Sequence, residues 1–158
     1  MVAIIDPHFK RVDSYPVYKE ARDLGIITKV KDGQTDYEGW CWSGSSAWVD
    51  FFNPASWGWW KGLFKTVQTS SDKFAWTEST NDVHIWNDMN EVSFCAYILL
   101  ANAYSPQPAI FNGPEISMPR DNIHHGGWEH RDIHNIHGML YVSTVVKSGC
   151  EVLPVCAA

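Results

Sequence analysis

The stretch DVHIWNDMN, residues 82–90, sets a short run of β-branched and aromatic side chains against an abruptly polar close. Such a run reads as a strand that ends where Asn87 and Asp88 begin to favour water. A second stretch, VAIIDPH (residues 2–8), has the same form: an apolar run halted by Asp6-Pro7, as expected of a buried parallel strand whose carboxyl end opens into a loop. Between the two, Tyr15 to Gly25 suits a short helix, with Val17 and Ala21 one turn apart and Gly25 as its stop. Residues Ile26 to Gly33 form a further strand-like piece closed by Asp32-Gly33. Residues Tyr37 to Phe52, aromatic, small and polar together, read as a structured loop. Asn53 before Pro54 is a cap followed by proline at the first helical position, and Trp57, Trp60, Leu63 and Phe64 then recur at helical intervals. Strands separated by helices and loops are the grammar of parallel β/α architecture, in which reactive groups gather at the carboxyl ends of strands. Asp6 and Asp88 both stand there.

The bulk properties narrow the function classes. A chain of 158 residues can form one domain, and 45% hydrophobic with 19% charged residues is globular composition. A formal net charge of −6 without clustered Lys or Arg gives no footprint for nucleic acid or for an anionic membrane surface. The longest apolar run, Phe94 to Ala103, is shorter than the roughly 20 residues of a bilayer span. The start, MVAIIDPHFK, lacks the charged and small-residue flanks of a signal segment and reads as a strand. Cysteines 41, 95, 150 and 156 contain no CxxC pair and suggest neither a zinc knuckle nor a disulfide framework. Nine tryptophans are an unusual endowment. Indole faces stack on the flat apolar faces of sugar rings, although ordinary core packing accounts for many such residues.

Two aspartates at strand mouths, with tryptophans on the connecting loops, supply what glycosidic cleavage needs: a carboxylate that stabilises or attacks an oxocarbenium-like centre, and aromatic faces that hold the sugar. The plainer alternative is that each aspartate caps the helix that follows. Glu91 stands too close to Asp88 in sequence to face it across a substrate, because the two carboxyl groups of a retaining pair lie about 5–5.5 Å apart and come from different strands. A second constellation is HHGGWEHRDIHNIH, with His124, His125, His130, His134 and His137. In a helix, residues 130, 134 and 137 share one face, so a metal site is a rival reading. No carboxylate or thiol is obviously placed to complete a ligand shell, and the preferred reading is a hydrogen-bonded structural loop with no metal, in which Arg131 forks onto a carboxylate.

The segment WNDMNE (residues 86–91) resembles the nucleophile signature of glycoside hydrolase family 31, the α-glucosidases. VAIIDPH, DYEGWCWSGSS, DFFNPASWGWW, FNGPEISMPRD and HHGGWEHRDIHNIHG follow that family's pattern in order, from residue 2 to about Gly138. The resemblance implies a partial (β/α)8 barrel, with only a few of its strands in residues 1–138, and a retaining double displacement that needs no cofactor. It implies Asp88 as the nucleophile, Asp6 and Trp42 lining the subsite for the terminal glucose, and Trp86 and Met89 flanking Asp88. Glu91, Arg131, Asp132 and His134 are implied as structural support. Family members of the endoplasmic-reticulum lumen remove terminal α-1,3-linked glucose from N-glycans alongside a β subunit, and the same substrate, partner and location are implied for the intact protein.

The pattern breaks twice. After Glu91 the family continues directly into the motif that resumes here at Pro108, so residues 92–107 read as an insertion. It begins with Val92, whose codons start with GT, and ends with Gln107, which CAG can encode; these are the ends of an intron translated in frame. From Met139 the chain, MLYVSTVVKSGCEVLPVCAA, departs from the pattern and reads as a non-family tail, and His137 stands where the family has Tyr. The family's acid/base aspartate belongs to a strand beyond Gly138. The resemblance therefore implies a chain inactive as written, which at most binds carbohydrate or a partner weakly, and in which an insertion so near Asp88 threatens positioning that costs about 100-fold in rate per 1 Å.

Overall fold

The computed structural model describes residues 1–41, 43–64, 82–88 and 118–146. The expected strand pair is its organising element. Strand β1 (Val2–Ile5) lies parallel to β5 (His84–Asn87), with Val2 opposite His84 and Ile5 opposite Asn87. Adjacent parallel strands require a long crossover. Here the crossover carries β2 (His8–Lys10), α1 (Pro16–Asp23), β3 (Gly39–Cys41), β4 (Gly44–Trp48) and α2 (Pro54–Gly62). After β5 come a 3-10 turn at His125–Gly127 and α3 (His130–Val146). The fold is a piece of a TIM barrel, with two neighbouring strands of its wall and helices against their outer side.

The helices form where the sequence places them. Asn53 caps α2 by accepting the amide of Ala55 at 3.0 Å, and Pro54 occupies the first turn, where a missing N–H costs nothing. Helix α1 buries Val17, Tyr18 and Ala21 and starts on Pro16 without a side-chain cap. Trp60 of α2, Tyr141 of α3 and Phe51 of the loop before α2 then pack ring to ring, with centroids 4.9 to 5.8 Å apart. The core continues through Val49 and Ile26 to Ile85 of β5, with Ala3 and Ile5 of β1 packed against it.

Two local readings are corrected. Within residues 37–52 lie two strands, β3 and β4, which join β2 in an antiparallel sheet of order β2-β4-β3. Gly44, at φ 84°, allows the reversal between β3 and β4, and the serines and glycines there hide the alternation that would have marked strands. Residues 26–33 form isolated bridges instead of a strand, because their backbone partners are divided. Thr28 N–H reaches Trp48, Lys29 N–H reaches Ile123, and Val30 N–H turns back on Thr35. The cysteine reading is also revised: Cys41 is buried and disulfide-bonded.

Strand β1 is parallel as expected but is buried on one face only. Val2 is 51% and Ile4 59% exposed, and they share a face with His84 and Trp86 of β5. The opposite face, Ala3, Ile5 and Ile85, meets the helices. In a barrel the helix-covered side is the outside and the other side is filled by inward-pointing layers of side chains. The face carrying Val2, Ile4 and Trp86 is thus the interior wall.

The boundary drawn at Gly138 falls inside α3. Tyr141 and Thr144, beyond that boundary, are buried, and Tyr141 lies in the main core.

Candidate active site

Asp6 follows the last residue of β1 and Asp88 the last residue of β5. The amide of Asp88 donates to the carbonyl of Ile5 at 3.0 Å, so the ladder runs one rung past the strands and sets the two aspartates side by side at their carboxyl ends. Side chains alternate along a strand. Asp6 therefore falls on the face of Ile4, and Asp88 on the face of Trp86, so both carboxylates belong to the interior mouth of the wall. Asp88 is exposed there, Trp86 is 38% exposed, and the side chain of Asp6 is 21% exposed. Neither aspartate caps a helix among the described residues: α1 begins at Pro16 after Tyr15.

Both carboxylates act on one buried phenol. Tyr141 has its pKa pushed well above the ordinary tyrosine value, first by burial and then by the negative charges of Asp6 and Asp88. Its Oη donates to the carbonyl of Ile5 at 2.8 Å, directly behind Asp6. Sequence reading missed Tyr141 because it treated residues past Gly138 as foreign. Its period with Ile133 and His137 on one helix face was the signal that could have found it.

Beside Asp6 is an open cleft of about 360 Å³ lined by Ile4, Asp6, His8, Phe9, Tyr15 and Ser43. His8 Nε2 lies 3.8 Å from Asp6 Oδ2, beyond hydrogen-bond range, and its ring packs on Trp48 with centroids 5.3 Å apart. Burial lowers its pKa to about 4, which leaves a neutral imidazole facing an aspartate. Trp42, Met89 and Glu91 lie outside the described residues, as does the segment 92–107.

The histidine constellation is separate and better connected than its sequence suggested. His130, His134 and His137 do share a face of α3, and the carboxylate that sequence proximity could not supply arrives from Asp50, just after β4. Asp50 Oδ1 meets His124 Nδ1 at 2.7 Å and accepts the amide of Phe52. Oδ2 accepts the amide of His125 at 2.7 Å. His124 Nε2 meets His130 Nδ1 at 2.9 Å, and His130 Nε2 meets His134 Nδ1 at 2.8 Å. With Asp50 ionised and every ring neutral, one tautomer pattern satisfies the line, with the proton on Nδ1 of each ring. Burial pushes the Asp50 carboxyl up, but the hydrogen bond and charge of His124, the His125 amide and the charge of His137 bring it below its usual value. Burial, followed by the charges of His124, His137 and His134, lowers His130 to about 3.

Of the residues expected to give support, His134 ends this line. Arg131 and Asp132 are exposed on the first turn of α3, where Arg131 Nε pairs with Glu129 at 2.5 Å. The carboxylate onto which Arg131 forks is therefore its own neighbour, outside the aspartate mouth.

Comparison with known proteins agrees with this geometry. Residues 1–153 match the glycosyl hydrolases family 31 TIM-barrel domain. Neutral alpha-glucosidase AB of Mus musculus is 44% identical over 149 residues, which is 94% of this chain and 13% of that protein. The crystal structure of glucosidase II alpha subunit with alpha3-Glc2 bound superposes at a TM-score of 0.71 with 44% identity, covering 98% of this chain and 14% of that one. The crystal structure of the heterodimeric ER glucosidase II complex, catalytic subunit with the binding domain of the regulatory subunit, gives 0.72 and 43% over 98% and 14%. The chain thus spans about an eighth of the length of these relatives. A parallel strand pair with adjacent terminal aspartates, helices on its outer side and this extent of likeness have one reading: the chain belongs to glycoside hydrolase family 31, as a segment of its TIM-barrel domain.

Proposed function

We propose that this chain carries the nucleophile-bearing wall of a retaining α-glucosidase. In this reading Asp88 attacks the anomeric carbon of a terminal α-linked glucose. The Asp88–C1 bond forms as the glycosidic C1–O bond breaks, and the departing oxygen takes a proton from an acid on another strand. Asp6 and Trp42 hold the glucose, and Trp86 and Met89 flank the nucleophile. The observation that carries the reading is the rung from Asp88 N–H to Ile5, which sets both aspartates on the interior side of adjacent parallel strands.

The substrate proposed for the intact protein is α-1,3-linked glucose on N-glycans, with a β subunit as partner and the endoplasmic-reticulum lumen as location. The alpha3-Glc2 and the regulatory-subunit domain in the related crystal structures support this reading. The proposal includes residues 92–107 as a translated intron. Transcripts joining Glu91 directly to Pro108 would support this point, and an exon continuous across that segment would end it.

A glucosyl fluoride, whose leaving group departs without protonation, isolates the nucleophile. The expected result is a single glucosyl ester on the peptide containing Asp88, absent in Asp88→Asn. An ester elsewhere, or one that survives in Asp88→Asn, refutes the assignment. A second reading, a non-catalytic segment that binds carbohydrate or a partner weakly, is favoured by the exposed wall of Val2, Ile4 and Trp86. Complete failure to label, with glucose still protecting Trp86 fluorescence from quenching, would select it.

A further inference from the structure

The least explained polar group among the described residues is His137. Its side chain is fully buried, it packs edge-on against Phe51 with centroids 5.9 Å apart, and neither Nδ1 nor Nε2 makes a hydrogen bond of ordinary geometry. Burial first, and then the charge of His124, lower its pKa to about 4 against the charge of Asp50 and a hydrogen bond with the Val49 backbone, and leave the ring neutral. A buried imidazole with no well-formed hydrogen bond among the described residues is costly in an apolar setting and calls for a ligand or a structural reason.

What surrounds it supplies one. Asp50, His124 and His137 each offer a donor atom, all within 4.8 Å of one another, and all three side chains are buried. They come from three separate places in the chain: two residues past β4, the loop before α3, and the third turn of α3. We propose that Asp50, His124 and His137 form a binding site for a divalent transition metal, with Zn²⁺ the ion that fits. Two imidazoles and one carboxylate are a borderline-hard donor set suited to zinc and poorly suited to Ca²⁺ or Mg²⁺, which take oxygen ligands.

The geometry states what binding requires. Bonds of about 2.0–2.1 Å in a tetrahedron put neighbouring donors roughly 3.3 Å apart, so the three donors, now within 4.8 Å of one another, must adjust, with Asp50 and His124 opening from 2.7 Å and His137 giving up its contact with the Val49 backbone. To bind through Nδ1, His124 gives up the proton it shares with Asp50 and stays neutral by taking one on Nε2 from His130, the line shifting tautomer as far as His134. The His125 amide holds the second oxygen of Asp50 in place, the outer support that metal-ligating groups ordinarily have.

The test is Zn²⁺ titration of the full chain, with free thiols alkylated beforehand so that cysteine cannot contribute. One equivalent should bind in calorimetry, and Co²⁺ should give the visible ligand-field bands of a four-coordinate site. His137→Phe, which keeps the packing against Phe51 and removes both nitrogens, should weaken binding about 100-fold or more, because loss of a direct ligand exceeds the 10–100-fold effect of outer-shell changes. His84→Ala and His125→Ala, which remove exposed imidazoles, should change nothing. If His137→Phe loses its near-ultraviolet dichroism, Asp50→Asn in the same assay replaces it, with the same loss expected. A wild-type chain that takes up no Zn²⁺, tetrahedral bands that persist in the ligand variants, or binding that disappears with His84 or His125 would overturn the proposal.

Discussion

Tyr141 Oη and Asp88 N–H both donate to the carbonyl of Ile5, at 2.8 and 3.0 Å. One acceptor thereby ties helix α3, the end of β1 and the residue proposed as nucleophile into a single junction.

Tyr141→Phe removes one of the two donors and leaves Ile5 satisfied by the other. It should cost ~1 kcal/mol, the usual net value of a neutral hydrogen bond, whereas Tyr141→Ala should cost ~3–5 kcal/mol through the cavity left among Phe51 and Trp60. Denaturant unfolding of the two variants measures the difference. Similar losses in both would remove Tyr141 from the core role described.

The same phenol should resist ionisation. Burial and then the charges of Asp6 and Asp88 raise its pKa, so in an alkaline absorbance titration Tyr141 should remain un-ionised until the chain unfolds. Tyr37, pushed up by burial, should share that late step. Tyr141→Phe should reduce the amplitude of the late step by one tyrosine and leave the earlier steps unchanged.

His8 should make stability acid-sensitive. Its folded pKa of about 4 lies below the ordinary 6.5, so the unfolded chain binds the extra proton. The stabilisation is complete above 6.5 and is lost as pH falls from 6.5 towards 4, with a slope approaching ~1.4 kcal/mol per unit for this one group. His8→Gln should flatten the melting temperature against pH in that window. An unchanged slope would mean that another group governs it.

Gly39 sits under the Trp48 ring. A Cβ there would lie 2.5 Å from Trp48 Cζ3 and 2.9 Å from the Tyr37 hydroxyl, closer than real contacts allow. Gly39→Ala should therefore destabilise by ~1–3 kcal/mol through overpacking, against ~1 kcal/mol for loss of the α2 cap in Asn53→Ala. Thermal unfolding of both variants checks the order.

The legible parts of this chain were those whose signals are local. Asp6-Pro7 and Asn87-Asp88 marked strand ends, and Asn53-Pro54 marked a helix start, because caps and breakers act within a few residues. The β3–β4 hairpin was missed because Trp40, Ser45 and Ser46 present no apolar alternation, and its register is held by Trp48 and Tyr37 packing across the sheet. Asp50 was missed for a different reason. Nothing in VDFF distinguishes it, and its partners His124 and His125 stand more than 70 residues away. The contribution of Tyr141 was hidden by a boundary drawn on resemblance, which follows ancestry, whereas packing follows only the shape and period of the helix.

The rung from Asp88 to Ile5 also bears on tolerance to rearranged coding sequence. Because the backbone of Asp88 is clamped from upstream, by residues that precede it in the chain and were already paired, an altered length of polypeptide downstream need not pass through the clamp. An altered length of polypeptide after the clamp would then leave the proposed nucleophile at the same place on the wall.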